Sequence, residues 1–301
     1  MFKNVIVYRI AANWQVDVET LEAALATQPY TPCGATQEKA WGWVPPRGKA
    51  HGPLVELVAG HRLMLFMTET KAVPGSVVKR KLDERVAHIE ATEGRKPGRK
   101  ESRDLRDDIL QELLPMAFSK TSTTPVWMDL QSGRLVVGAG SQGKADEITT
   151  ALVECLQGLH LGLLNTQVAP QAAMTQWLTG TADDWPPHIA AGQEVELKSG
   201  DEMNSVVKFT RHHLADEEMR RHIEQGKLPV KLGLDWDGRV QFVLTEGMQI
   251  KKIAFLDGVF EDNATAEDEG GFDADAAIAT GELSALITDL TAALGGELEA
   301  A

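Results

Sequence analysis

The stretch Leu234-Asp235-Trp236-Asp237-Gly238-Arg239-Val240-Gln241-Phe242-Val243 decides the fold class of this 301-residue chain. Asp-Gly is a favoured pair in the tight turns that join antiparallel strands, so it predicts a hairpin between residues 229–236 and 239–245. A third strand-like run at residues 249–256 extends this hairpin into an antiparallel meander. Strands grouped in this way, with helices between the groups, favour an α+β fold over a doubly wound parallel sheet.

The rest of the chain also mixes short strands with amphipathic helices. Strand-like runs occupy residues 3–10, 63–67, 125–130, 134–138 and 206–210. Helical periodicity covers residues 17–27, 144–159 and 214–225, and the last helix places one stripe toward the core: Leu283, Leu286, Ile287, Leu290 and Leu294. The acidic residues 261–273 before that helix are predicted to form a solvated loop.

Residues 76–119 differ from the rest because two helical patterns flank a basic loop. The loop reads Gly94-Arg95-Lys96-Pro97-Gly98-Arg99-Lys100, and residues 71–106 hold 11 basic and 6 acidic side chains. This pattern predicts a helical hairpin with a basic tip. We therefore expect residues 1–301 to form a single unit with three sub-regions. These are an N-terminal α+β part (1–75 and 120–185), a helical hairpin (76–119) and a C-terminal α+β part (186–301).

The charge of the chain is unevenly distributed. The formal net charge is −14, which by itself opposes nucleic-acid binding, because affinity for phosphate comes from Lys and Arg. Residues 1–130 carry 18 basic and 16 acidic side chains, whereas residues 251–301 carry 2 and 12. Such a gradient allows one surface to be positive while another is strongly negative.

No set of residues in the sequence matches a known catalytic pattern. The Gly138–Lys144 stretch lacks the Ser or Thr and the spacing of a phosphate-binding loop, and Asp235 and Asp237 flank a tight turn, where aspartate is a common structural choice. Cys33 and Cys155 have no partner pattern and are expected to be reduced and buried. The sequence predicts no catalytic residue, no metal and no cofactor, and the lack of a long apolar run predicts a cytoplasmic location.

Basic side chains around the predicted strand at 206–210 are the best candidates for a binding site. Several of them are spaced so that they could line one concave wall and contact DNA phosphates: Lys208, Arg211, His212, Lys227 and Lys231. The alternative is ordinary solvated charge, because Glu217, Glu218 and Glu224 are close enough in sequence to pair with nearby arginines.

Five stretches, in order along the chain, resemble the bacterial recombination-associated RdgC family. They are Thr31-Pro32-Cys33-Gly34, Gly42-Trp43-Val44-Pro45-Pro46, Leu113-Leu114-Pro115-Met116-Ala117-Phe118-Ser119, the stretch at 234–243, and Thr280-Gly281-Glu282-Leu283. The resemblance implies a horseshoe-shaped subunit that pairs with a second copy into a ring around duplex DNA. It also implies binding without sequence preference, a nucleoid location, and restraint of the RecA recombinase by limiting its access to DNA.

The resemblance further assigns roles to individual residues. Lys208, Arg211 and His212 match the family's basic segment facing the hole, and Phe118 matches an aromatic at a subunit contact. The hairpin matches a projecting finger, whose basic loop residues we also expect to contact DNA: Arg95, Lys96, Arg99 and Lys100. Two other functions remain open, a magnesium-dependent nuclease and an adaptor dimer that binds another protein through the acidic C-terminal region.

Overall fold

The structure is a computed structural model that describes residues 2–201, 203–211, 217–260 and 270–298. These residues form an α+β fold with two antiparallel sheets, which confirms the predicted fold class. The strands are β1 (Ile6–Ile10), β2 (Lys39–Val44), β3 (Val55–Val58), β4 (His61–Lys71), β5 (Ser119–Asp129), β6 (Arg134–Val137), β7 (Leu161–Leu163), β8 (Ile189–Ser199), β9 (Val206–Thr210), β10 (Lys227–Trp236), β11 (Val240–Thr245) and β12 (Ile250–Phe255). The helices are α1 (Val18–Leu25), α2 (Gly75–Glu93), α3 (Arg99–Leu113), α4 (Gln142–Cys155), α5 (Pro170–Thr179), α6 (Glu217–Glu224) and α7 (Gly270–Ala293).

The chain divides into two compact units. The larger unit comprises Met1–Ala24, Pro45–Met64 and Pro125–Ala301. The smaller unit comprises Leu25–Val44 and Leu65–Thr124. Both units are therefore assembled from segments that are distant in sequence.

The five-stranded sheet of the larger unit contains the predicted meander. Its strand order is β12-β11-β10-β8-β9, and all neighbours are antiparallel. Leu232 of β10 lies between Leu244 and Val195 of the adjacent strands, and all three side chains are buried. Because side chains alternate along a strand, the neighbouring positions of β10 point away from this core. The outward positions carry the residues of the candidate site described below.

Helix α7 covers the buried face of this sheet. The five leucine and isoleucine side chains of its predicted stripe are all fully buried, which confirms the helical periodicity. They share one core cluster with residues of α5, such as Met174 and Trp177, and with Phe2 and Val5 near the start of the chain. Backbone hydrogen bonds in both directions between Val5 and Ile250, 2.8 and 3.1 Å long, join the first residues to β12.

The start of α7 corrects one prediction. The predicted loop extends to residue 273, but the helix begins at Gly270, and residues 261–269 lie outside the described part of the chain. Arg47 explains the early start, because its guanidinium lies 4.7 Å from the ring centre of Phe272 and 2.5 Å from Asp273. These contacts stabilise the first turn of α7. They come from a residue more than 200 positions earlier in the chain, so no local sequence pattern predicts them.

The smaller unit contains β2, the second half of β4 and the helices α2 and α3. The two helices pack together through the buried side chains of Val78, Ile109 and Leu113. Gly94 ends α2 in the left-handed conformation, with φ of 71° and its N–H donating to the carbonyl of Glu90. Glycine adopts this backbone without steric cost, so the chain leaves the helix at the start of the basic loop.

Strand β2 lies so close to the preceding segment that only glycine fits at position 42. A Cβ on Gly42 would lie 2.4 Å from the backbone nitrogen and the Cα of Tyr30. The N–H of Tyr30 donates to the carbonyl of Trp43 at 3.1 Å, and the N–H of Trp43 donates to Gln28 at 3.0 Å. The glycine of the Gly42–Pro46 motif therefore allows these two backbones to hydrogen-bond.

A buried carboxylate, Glu69, holds the Thr31–Gly34 motif of this unit in place. It accepts hydrogen bonds of 2.7 Å from the Cys33 N–H and from the Tyr30 hydroxyl. These hydrogen bonds hold the pKa of Glu69 at about 2, and the one from the Cys33 N–H has the largest effect. Cys33 itself is only partly buried, as is Cys155, so the expectation that both cysteines are buried is wrong.

Candidate nucleic-acid interface

The outward face of the five-stranded sheet carries a row of alternating charges. The strand register places Glu196 of β8 between Lys231 of β10 and Lys208 of β9. Both ammonium groups reach the same carboxylate oxygen, Lys231 at 3.0 Å and Lys208 at 3.1 Å. One carboxylate is therefore shared by two lysines from opposite sides.

A second ion pair lies beside this row. The Nζ of Lys252 on β12 is 2.5 Å from a carboxylate oxygen of Glu194 on β8. Lys252 has a left-handed backbone, with φ of 51°, and its N–H donates to Oδ1 of Asn4 at 3.2 Å. Gly233 lies between the two strands, where a Cβ would be 3.0 Å from Cγ of Glu194. The glycine thus leaves room for the glutamate side chain on the face.

The Glu196 ion pairs and the ion pair between Glu194 and Lys252 line two adjoining surface pockets of about 350 and 430 Å³. The charged side chains that line them are Lys208, Arg211, Lys231, Lys251, Lys252, Glu194 and Glu196. We call this set the basic face. Cations outnumber carboxylates five to two in it, whereas acidic residues outnumber basic ones in the whole chain by 44 to 30. The basic face is therefore a local reversal of the protein's overall charge.

The ammonium groups of the basic face lie further out than the carboxylates. The side chains of Lys208 and Lys231 are 62% and 44% exposed, against 20% for Glu196. Burial alone disfavours ionisation of Glu196, but the hydrogen bonds and charges of the two lysines outweigh it and lower the pKa of the carboxyl. The glutamate therefore stays charged at neutral pH, and the lysines remain accessible from solvent.

The residues predicted to contact DNA from the C-terminal part are not all brought together. Lys208, Arg211 and Lys231 share the basic face, with Arg211 at the rim in a left-handed conformation, φ 57°. Lys227 lies instead against helix α6, with its Nζ 3.3 Å from Nδ1 of His222. His212 lies outside the described residues.

In the smaller unit, the basic loop between α2 and α3 is partly neutralised by its own glutamates. Arg95 makes two hydrogen bonds to Glu101, of 2.7 and 2.9 Å, and a third contact of 2.7 Å to Glu93. Lys96 lies 3.6 Å from Glu90. The two basic residues that open α3, Arg99 and Lys100, are exposed, and neither side chain forms an ion pair within the described part of the chain.

Phe118, the predicted subunit contact, lies just after α3 in the smaller unit. Its side chain is 94% exposed, and that of nearby Met116 is 70% exposed. A single exposed apolar side chain is ordinary, but two large ones close together on a surface are typical of a site that contacts another molecule.

Comparison with known proteins identifies the chain. A family model described as "Putative exonuclease, RdgC" matches residues 1–297. The chain belongs to the RdgC family. It is 42% identical over 301 residues to the Recombination-associated protein RdgC of Cupriavidus necator, with 99% of each chain covered. It is 41% identical over 303 residues to the protein of that name from Dechloromonas aromatica, with 99% of this chain and 98% of the relative covered.

Membership of the RdgC family connects the protein with DNA recombination, but the two descriptions differ on catalysis. The family model's description names an exonuclease, whereas the relatives are named only for recombination. In the described residues, no three or more His, Cys, Asp or Glu side chains lie close enough together to hold a metal ion. Asp235 accepts from the Gly238 N–H at 2.8 Å and from Gln241 at 3.0 Å, as a turn residue does.

Two features of this RdgC-family chain were not found from its sequence. Lys252 and the glutamates Glu194 and Glu196 belong to the basic face but were not among the predicted contacts. The pair Lys251-Lys252 inside the predicted strand at 249–256 was an available signal, because alternation exposes at least one of two adjacent lysines.

None of the helices in the described ranges is long and apolar enough to span a bilayer.

Proposed function

We propose that this protein binds duplex DNA without sequence preference, as a ring-shaped dimer, and modulates homologous recombination by limiting the access of RecA to DNA. The observation that carries the proposal is the basic face, where Lys208, Lys231 and Lys252 stand outward from a sheet in a strongly acidic protein. Ammonium groups at such positions suit phosphate oxygens, which are the same in every sequence. The acidic remainder of the surface would repel DNA elsewhere.

The ring part of the proposal needs a second copy of the chain. In it, each subunit is a horseshoe whose helices α2 and α3 form a projecting hairpin, and Phe118 packs against the partner. Its 94% exposure in a single chain supports this role, because burying an aromatic side chain is strongly favourable. The exposed Arg99 and Lys100 of the hairpin would add phosphate contacts, and a protein held on chromosomal DNA in this way would be nucleoid-associated.

The main test is binding to plain DNA in the presence of magnesium. We expect the protein to shift linear duplexes of unrelated sequence equally at low salt, and to leave both supercoiled plasmid and end-labelled duplex intact. Between 50 and 200 mM salt the affinity should fall by roughly 10³, the loss expected for about six phosphate contacts. Flat salt dependence would contradict binding through phosphates.

The same samples separate the competing functions. An exonuclease, which the description of the family model favours, would shorten the end-labelled strands, and an endonuclease would nick the plasmid. An adaptor that binds only protein would give no shift at micromolar concentration. Either result would replace the proposed function.

A separate experiment tests the subunit contact. Phe118→Ala removes an exposed aromatic side chain and should weaken dimerisation by about 10-fold or more, because central aromatic residues carry much of the binding energy of an interface. Mass measurement across a dilution series reports the change. Leu57→Ala, at a 58% exposed position on β3, is the matched control and should not alter the mass. A dimer equally stable in both variants would exclude Phe118 from the contact.

A further inference from the structure

Glu194 and Glu196 place negative charge within a face that otherwise suits a polyanion. We propose that these two carboxylates compete with DNA phosphates for the lysines of the basic face, and thereby limit its affinity for DNA and the steepness of its salt response. The inference deepens the proposed function and rests on it. It assigns to the two glutamates a role in setting how tightly the protein holds DNA.

The geometry of Glu196 carries most of the argument. Its carboxylate receives Lys208 from β9 and Lys231 from β10 at 3.1 and 3.0 Å, so it partly neutralises both. Glu194 does the same for Lys252 at 2.5 Å. Three of the five cations of the face are thus already paired when the protein is free. A phosphate that approaches these lysines meets ammonium groups that Glu194 and Glu196 already partly neutralise.

The relative depth of the groups makes competition possible. Glu194 and Glu196 are 33% and 20% exposed, whereas their three lysine partners are 44–67% exposed. A phosphate can therefore reach the ammonium groups from the solvent side without displacing the sheet. Each ammonium has three N–H donors, so a lysine can turn toward phosphate while the carboxylate stays behind it. Part of the charge of each lysine and one of its donors then stay engaged with the carboxylate, so the phosphate gains less from the contact and the affinity is lower.

These ion pairs are not required to hold the fold together. Pairs between exposed lysines and carboxylates contribute little to stability, and the sheet beneath is held by backbone ladders and by buried residues such as Leu232 and Val195. Glutamine has the shape of glutamate and can accept the same hydrogen bonds without the charge. Replacing either glutamate by glutamine therefore isolates the effect of the charge.

The test compares Glu194→Gln, Glu196→Gln and the double variant with the wild-type chain. We expect Glu196→Gln to bind a fluorescent short duplex about fivefold more tightly near physiological salt, the equivalent of one exposed ion pair. The slope of log affinity against log salt should steepen by about 0.9 for each additional phosphate that the variant neutralises. Glu194→Gln should act in the same direction through Lys252, and it gives an independent result if one variant folds poorly.

Two controls separate a local effect from a general change of charge. Glu154→Gln removes a carboxylate from an exposed position of α4, and it should change affinity much less than Glu196→Gln. In a background of Lys208→Gln and Lys231→Gln, adding Glu196→Gln should give almost no further increase in affinity, because the paired lysines are gone. Equal tightening by Glu154→Gln, or a persistent increase in that background, would overturn the proposal.

The remaining outcomes are also decisive. Weaker binding by Glu196→Gln would mean that the carboxylate positions the lysines for DNA, which contradicts competition. Wild-type protein that binds duplex while all the variants bind equally well would refute the inference and leave the proposed function intact. Absence of binding by the wild-type chain and every variant would refute the proposed function, and the inference with it.

Discussion

Replacing Lys208 and Lys231 together by glutamate is expected to lower the affinity for every duplex by about 100-fold at low salt. The change puts two carboxylates beside Glu196, to which both lysines now donate at 3.0–3.1 Å. The centre of the basic face would then repel phosphate, and like charges brought together at an interface are strongly unfavourable. Fluorescence anisotropy with several unrelated duplexes measures the loss.

The control for this variant is a charge reversal away from the basic face. Lys49→Glu, at an exposed position in the segment after β2, makes the same change per site and should reduce affinity only slightly. Circular dichroism should show that both proteins are folded. A loss confined to one duplex sequence would contradict backbone binding, and an equal loss in Lys49→Glu would mean that net charge, not the face, controls affinity.

Gly42→Ala is expected to lower the free energy of unfolding of the smaller unit by about 3 kcal/mol, at the upper end of what overpacking usually costs. The added Cβ would lie 2.4 Å from backbone atoms of Tyr30, which no side-chain rotation can relieve. The strand must move, and the hydrogen bonds that join Trp43 to Gln28 and Tyr30 lengthen or break. Thermal and urea unfolding measure the change.

Gly143→Ala is the matched control. Gly143 is exposed in α4, and a Cβ there meets nothing within 4 Å. Alanine is a better helix former than glycine, and Gly143 is the second residue of α4, so this variant should be no less stable than the wild type. Similar stability of the two variants would show that the strand tolerates a side chain at position 42.

The parts of the fold that were predictable from sequence are those specified locally. The Asp237-Gly238 turn sets the register of β10 and β11, and the leucine stripe of α7 follows the helical period. Strand β8 was missed because a register shift near Gly192 interrupts its alternation, and a Cβ on that glycine would lie 2.7 Å from Gly233. Helix α5 was missed because its buried side includes small residues such as Ala173.

The candidate site was only partly predictable for a similar reason. Lys208 and Lys231 were identified from their spacing around a strand, but no local pattern shows that Glu196 lies between them. That arrangement depends on β8 being inserted between β9 and β10, which is a property of the sheet order. Lys227 was predicted to contact DNA as one of the basic side chains near β9, yet its side chain lies against α6.

The contact between the two ends of the larger unit has a consequence for biosynthesis. Val5 pairs with Ile250, and Glu297 accepts from Arg9 and Arg134 at 3.0 and 2.9 Å. A nascent chain leaves the ribosome from its N-terminus, so these early residues must wait until residues 250–297 have been translated. The larger unit therefore cannot complete its folding before α7 has been made, and a premature stop before α7 would leave Val5 and Val7 with only part of their core.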